Sequence, residues 1–229
     1  MTDLNSGNRK IKVLVACEFS GVVKNAFTKV GCDAWSCDLL PSEIPENHIQ
    51  DDVLNYLDMG WDILIAFPPC THLAVSGAAH FKKKYEKQKK ALDFFLKCLN
   101  APVPSICVEN PISIASTYIT KPTQIIHPWQ FGDSYNKSTC LWLKNLPKLK
   151  PTKIVDKGEF ITFWSKSDQK LKRYAKWNYE ARWKEGSKNH GKARSRTFQG
   201  IAEAMADQWG RKLHNIGFIN PKYFKKETL

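Results

Sequence analysis

The apolar residues of this chain fall in short runs separated by turn-forming residues, and the spacing within the runs switches between two periods. Residues 11–17 (Ile-Lys-Val-Leu-Val-Ala-Cys) read as a buried strand. Val22, Val23, Ala26, Phe27 and Val30 then follow at helical intervals, and Gly31 ends that helix. Residues 33–38 form a second strand finishing at Asp38, and residues 48–52 a short third strand or turn before a brief helix over 53–57. Ile63, Leu64 and Ile65 make a fourth strand, which Pro68 and Pro69 end because proline cannot donate to a sheet ladder. A helix enters from the lysine-rich residues 82–90 with Leu92, Phe95, Leu96 and Leu99 as its apolar face. Residues 105–111 read as a fifth strand, with Glu109 near its end. Residues 123–128 and 139–143 give two more strands with a hairpin-like connection through Gly132, and residues 201–213 a helix packing back onto the sheet. Strands alternating with helices predict an α/β fold: a doubly wound, mostly parallel sheet with right-handed crossovers.

Composition narrows the class of protein. A chain of 229 residues suits one α/β domain with a small appendage. No apolar run approaches the length of a membrane span, and residues 1–10 are too polar for a signal peptide. Seven cysteines without a C-x-x-C pair suit reduced thiols in a cytoplasmic protein that holds no metal. The net charge of +13 and a pI near 9.4 point to a polyanionic partner, nucleic acid first. Fourteen of the lysines and arginines lie in residues 150–196 against five acids, which accounts for most of the surplus. Trp164, Tyr174, Trp177, Tyr179 and Trp183 are interleaved among them. Such a segment can track a phosphate backbone while stacking on unpaired bases, or can use its tryptophans as the core of a small subdomain.

The candidate chemistry sits at strand ends. Residues 11–38 run strand, glycine turn, helix, strand, acid, the layout of a nucleotide-binding βαβ unit in which helix N-terminal amides and the acid receive the ligand. Only one glycine of the usual set is present, and Val22 and Val23 crowd the place where a pyrophosphate would approach. A ligand without phosphates, such as S-adenosylmethionine, needs less room. Cys70 and Glu109 stand beyond or at the carboxyl ends of adjacent strands, which converge on one crevice in sheets of this kind. A thiolate adding to C6 of a pyrimidine makes C5 nucleophilic, a carboxyl with a raised pKa beside N3 stabilises that addition, and a methyl donor completes the set.

Those residues resemble the cytosine-C5 methyltransferases that use S-adenosylmethionine, over roughly residues 11 to 143. Phe19-Ser20-Gly21 is similar to the start of that family's cofactor loop. Asp38, with Leu39, falls where a ribose-binding acid follows the second strand, and Asp52, with Val53, where a further acid meets the adenine amino group. Pro68-Pro69-Cys70 resembles the Pro-Cys nucleophile loop, and Glu109-Asn110-Pro111 the element whose glutamate contacts the cytosine ring. Lys137 and Thr139 stand at the two arginine positions of a later motif. The resemblance implies Cys70 as nucleophile, Glu109 at N3, and Lys137 and Thr139 beside them in the catalytic site. It implies Phe19, Ser20, Gly21, Asp38, Leu39, Asp52, Val53, Phe67 and Pro68 around the cofactor, and Pro69 and Asn110 toward substrate. Outside the resemblance, Ser76 is a further candidate toward substrate, and Arg194 and Arg196, before the last helix, read equally as phosphate contacts toward substrate or as exposed charge. On this reading residues 1–149 are a Rossmann-like class I methyltransferase core, 150–197 a basic aromatic insertion that contacts nucleic acid, and 198–229 a C-terminal helix and tail. The chain is then a small, phage-like, monomeric DNA methyltransferase of the cytoplasm, with S-adenosylmethionine as cofactor and DNA as partner.

Several positions depart from that pattern. Phe67 stands where a glycine is usual, Thr71 replaces a glutamine, neither arginine of the later motif is kept, and the segment after residue 143 is short for a target-recognition domain. RNA or a free pyrimidine nucleotide as substrate, and a non-catalytic nucleic-acid-binding protein on the same scaffold, are the rival readings. His72 and His80 read as structural or surface groups, and the lysine run of residues 82–90 as a solvated helix face. Ser76 either contacts substrate or caps the following helix.

Overall fold

A computed structural model describes residues 9–75, 85–165, 169–176 and 195–211. Its centre is a seven-stranded sheet of β1 (Lys12–Ala16), β2 (Asp33–Asp38), β3 (His48–Gln50), β4 (Ile63–Ala66), β5 (Ser105–Asn110), β6 (Gln124–Ile126) and β7 (Thr139–Lys144), in the spatial order β3-β2-β1-β4-β5-β7-β6. The first five strands are mutually parallel; β7 runs antiparallel to β5 and pairs antiparallel with β6. This is the doubly wound, mostly parallel sheet the spacing predicts.

Alternation along the strands divides the core in two. Val13, Val15, Ile63, Ile65 and Cys107 point to one face, where they meet α1 (Val22–Lys29) and α4 (Gln199–Met205); α3 (Ala115–Tyr118) is a single turn after β5. Leu14, Ala16, Leu64, Ala66, Ile106 and Val108 point to the other, under α2 (Tyr85–Leu99). A sheet covered on both faces needs apolar residues at every strand position, which is why β4 reads as an unbroken run. On the α2 side Phe95 meets Trp142 edge to face, with ring centroids 5.0 Å apart, a geometry worth about 0.5–1.5 kcal/mol beyond area burial. Arg9 grips buried Asp62 with two nitrogens, and the Lys12 amide donates to the same carboxylate, so β1 and β4 are tied where both begin.

Four expectations change in detail. The brief helix expected over 53–57 is a single 3-10 turn, Val53–Asn55. On α2 the apolar face is Leu92, Phe95, Cys98 and Leu99, with Gln88 buried on the same side, while Leu96 is exposed. The last helix passes from α4 into a π-helical turn, Ala206–Arg211, that buries Trp209. The basic segment contains an antiparallel pair, β8 (Phe160–Ser165) and β9 (Lys170–Ala175), forming a two-stranded sheet of its own. Trp164 is 61% exposed there and so is not a core tryptophan; Trp177, Tyr179 and Trp183 lie outside the described residues.

A candidate active site at the carboxyl ends of the parallel strands

The chain leaves β1 through Cys17, a non-glycine residue in the left-handed region (φ 59°), where such a residue costs about 1–3 kcal/mol. The kink is held by the Cys17 amide donating to the Cys37 carbonyl at 2.7 Å. Glu18 is thereby turned inward, 4% exposed. Its carboxylate accepts hydrogen bonds from the Val23 amide (2.7 Å), the Lys24 amide (3.1 Å) and the Ser20 hydroxyl (3.3 Å). The N-terminal amides of α1, expected to receive a ligand, are thus satisfied by the chain itself. Burial outweighs these bonds and raises the Glu18 pKa. Gly21 adopts φ 70° as the N-cap of α1, and a Cβ there would press on Ile44 at 3.1 Å. Buried Lys24 donates to the carbonyls of Ile44 and Glu46, closing the loop after β2 over the helix start.

The ligand space opens farther along the strand ends. A cleft of about 500 Å³ has Cys17, Cys37, Asp38 and Leu39 on its walls, with Asp51, Asp52 and Val53 from the end of β3 and Pro69 and His72 from the turn after β4. Lys87, Lys90, Ala91 and Phe94 of α2 line it as well. That volume suits a nucleoside-sized ligand. Asp38 and Asp52 each accept one backbone amide, from Leu40 (2.9 Å) and Leu54 (3.0 Å), which fixes both carboxylates at the rim. The Asp52 amide donates to the Asp51 carboxylate and the Tyr56 hydroxyl donates to it as well, and these bonds, the amide's first, lower the Asp51 pKa. Burial pushes the thiol pKa values of Cys17 and Cys37 up, so both are apolar wall groups here.

A second, much smaller cavity of about 10 Å³ lies around Glu109. Phe67, Lys137 and Thr139 line it, and Ser195, Thr197, Phe198, Ile201 and Met205 close it. Burial raises the Glu109 pKa, and Lys137 partly offsets that rise. Because β7 is antiparallel to β5, its first residue, Thr139, arrives at the edge where β5 ends. The Lys137 ammonium stands 5.8 Å from the centre of the Phe198 ring.

One loop separates the two spaces. Phe67 faces the Glu109 cavity and Pro69 the large cleft. Buried Asn110 donates its side-chain amide to the Pro68 carbonyl at 2.8 Å, anchoring the loop to the residue after Glu109. Further on, Val75 donates to Ile112, Ile114 donates to Leu73, and Ala74 bridges Ser113. Cys70 starts a 3-10 turn, Cys70–His72, and is exposed.

Asp38, Leu39, Asp52 and Val53 therefore meet at one cleft, and Glu109, Lys137 and Thr139 at one cavity. The other expected cofactor residues are placed elsewhere. Phe19 and Ser20 are buried behind the cleft, Gly21 packs on Ile44, Phe67 turns to Glu109, and the Pro68 carbonyl is held by Asn110. Cys70 lines neither space among the described residues. Arg196, expected toward substrate, pairs with Glu43 instead. Ser76, Arg194 and His80 lie outside the described residues. Sequence reasoning missed Glu18, Asp51, the cleft-facing lysines of α2, and Ser195, Thr197 and Phe198. For the lysines a signal was present: Lys87, Lys90, Ala91 and Phe94 share one helical face.

Strand order, one antiparallel strand near the edge and helices on both faces make this a doubly wound, Rossmann-like α/β fold. Solved structures with a likeness to the chain include an E. coli protein encoded within a prophage and provisionally designated a DNA modification methyltransferase. It is 13% identical over 76% of this chain and 64% of its own, with a TM-score of 0.43. Another is the Entamoeba histolytica methyltransferase EhMeth, 13% identical over 64% of this chain and 58% of its own, with a TM-score of 0.45. The chain thus spans less than two thirds of either protein. No protein-family profile matches it, and no curated protein does. Among the described residues no helix is long and apolar enough to cross a membrane, and no group of three or more His, Cys, Asp or Glu is placed to hold a metal ion.

Proposed function

We propose that the protein transfers a methyl group from S-adenosylmethionine to C5 of cytosine in DNA, through a covalent adduct on Cys70. The observation that carries this reading is the Phe67–Pro69 loop, which walls a nucleoside-sized cleft on one side and the Glu109 cavity on the other, with Cys70 next along it. The cleft fits the donor: two fixed carboxylates at its rim suit ribose hydroxyls and an exocyclic amine, and its apolar walls suit an adenine ring. When bound there the donor supplies a methyl group on a positively charged sulfur.

The chain's own residues do the rest. The Cys70 thiolate adds to C6, and the displaced electron pair moves into the ring toward N3. Glu109, whose raised pKa keeps a proton available, gives N3 a hydrogen bond or the proton itself. Asn110 holds the thiol-bearing loop beside that carboxyl. Lys137 and Thr139 complete the polar wall around the ring. C5, made electron-rich by that addition, takes the methyl group. A water molecule acting as base then removes the C5 proton, the C5=C6 double bond re-forms as the C6–S bond breaks, the thiolate leaves, and the N3 proton returns to Glu109.

The β8–β9 hairpin supports a nucleic-acid substrate. Lys170, Lys172 and Arg173 lie on it with exposed Trp164 and a stacked Phe163–Tyr174 pair, and its strands carry no acid. In a duplex the target base would have to leave the stack. The test is incubation with isotopically labelled donor and DNA, RNA or free cytidine nucleotides, followed by mass spectrometry of the nucleosides. Labelled 5-methylcytosine in DNA is the expected result. Label confined to RNA or nucleotide, or absent from all three, overturns the substrate or the activity respectively.

A further inference from the structure

The lysine run at the start of α2 turns part of its charge onto the large cleft. Lys87, Lys90, Ala91 and Phe94 follow one another at helical intervals and all four line it. The acids of the cleft come from the ends of β2 and β3, whereas its cations, Lys87 and Lys90, come from α2, with the His72 imidazole in the turn after β4 also on the wall. In the sheet order β3-β2-β1-β4 those two sets lie on either side of β1. A cleft so divided complements a zwitterion rather than a polyanion.

Two independent observations indicate what the cations are for. Helix N-termini at such strand ends commonly receive a ligand's anionic group. In this chain Glu18 already occupies the Val23 and Lys24 amides of α1, so a ligand carboxylate must find its partner elsewhere. The Nδ1 atom of His72 is buried in the cleft wall without a hydrogen-bond partner, a condition that an incoming acceptor or donor would relieve.

We infer that Lys87 and Lys90 of α2, together with His72, form a carboxylate subsite that takes the amino-acid end of a nucleoside donor. The inference rests on the donor reading proposed above and adds where, and by which residues, the donor's anionic end is held. It reassigns part of the lysine run from a solvated face to a binding element.

Calorimetric titration of the full chain with S-adenosylhomocysteine and with methylthioadenosine, which has the same nucleoside and thioether but no amino-acid group, tests it. The variants are Lys87→Ala/Lys90→Ala and Lys87→Arg/Lys90→Arg; both positions are exposed, and thermal unfolding confirms that the variants remain folded. The alanine pair is expected to bind S-adenosylhomocysteine about tenfold more weakly, with methylthioadenosine affinity within twofold of wild type and the arginine pair close to wild type. Unchanged S-adenosylhomocysteine affinity in the alanine pair, or an equal loss for both ligands, overturns the subsite while leaving the donor reading standing. A wild-type protein that binds neither ligand overturns the donor reading itself, and the subsite with it.

Discussion

Two hollows lie at the same edge of one sheet and differ about fiftyfold in size, roughly 500 Å³ against 10 Å³. The larger is built chiefly from strand ends and the turns that follow them, parts whose positions the sheet fixes. The smaller is floored by strand-end residues too, Glu109 and Thr139, but is sealed by side chains from residues 195–205, far away in sequence. The first is therefore ready for a ligand as it stands, whereas the second has room for about one water molecule and must open before a ring can enter. Ile201 and Met205 are anchored in the core and the Phe198 ring lies 5.3 Å from that of Tyr135, so the weaker ties are the polar ones. Arg196 pairs with Glu43 across a largely solvated contact, their side chains 40% and 36% exposed, and such pairs contribute about 0–1 kcal/mol. The Gly200 amide adds one bond to Asp133. On the proposed reading, donor binding and base entry make different demands on the same scaffold.

The contrast can be broken most directly at Cys70. Cys70→Ala should lower single-turnover methyl transfer by roughly a thousandfold or more and leave donor affinity unchanged, because the thiol does not line the cleft. Weaker donor binding in a calorimeter would show that the two functions are not separable.

Next in size is Glu109→Gln, expected to slow transfer about a hundredfold. It also carries a stability signature. The folded chain holds the Glu109 pKa above its unfolded value, so the stability associated with its protonated form is present below the unfolded pKa and is lost as pH rises through the folded one. The glutamine variant should accordingly melt about 2–4 °C higher than wild type at pH 8, with the gap shrinking toward pH 4. A gap that widened on acidification would contradict the buried carboxyl.

Asp52→Asn should weaken donor binding about tenfold, since it removes a charge from the cleft while asparagine still caps the Val53–Asn55 turn. Isothermal titration measures it, and transfer at saturating donor should be retained. The smallest effect belongs to Arg196→Gln. Unfolding temperature should stay within about 1 °C, and transfer should change by less than about threefold, in the direction of easier base entry. Abolished transfer would mean that Arg196 touches the substrate rather than tethering the seal.

Much of this arrangement was legible from residue order. The parallel strands stood out because a sheet covered on both faces leaves runs such as Ile63-Leu64-Ile65 with no polar interruption. Asp38, Asp52, Glu109 and Thr139 were legible for a related reason: each sits at or beside the end of such a run, and strand ends meet along one edge. Glu18 was not, because its role depends on the left-handed turn at Cys17, which no residue type announces. The seal over Glu109 was not either, since it joins residues more than eighty positions apart. The α2 lysine run reads as a solvated helix face, and Lys87 and Lys90 are exposed; that they also line the cleft, with Leu96 turned to solvent, depends on the rotation of α2 and not on the charge spacing.

Inside a cell the commonest nucleotides carry two or three phosphates, and they would crowd any adenosine-shaped hollow that offered them an anion hole. This chain has filled that hole from within: the Glu18 carboxylate, part of the same polypeptide, sits on the α1 amides and cannot be diluted away. A visiting triphosphate would have to evict a tethered competitor that already holds the Val23 and Lys24 amides. On the donor reading proposed above, the consequence is selectivity by prior occupancy, which leaves the hollow to adenosine compounds that arrive without a phosphate tail.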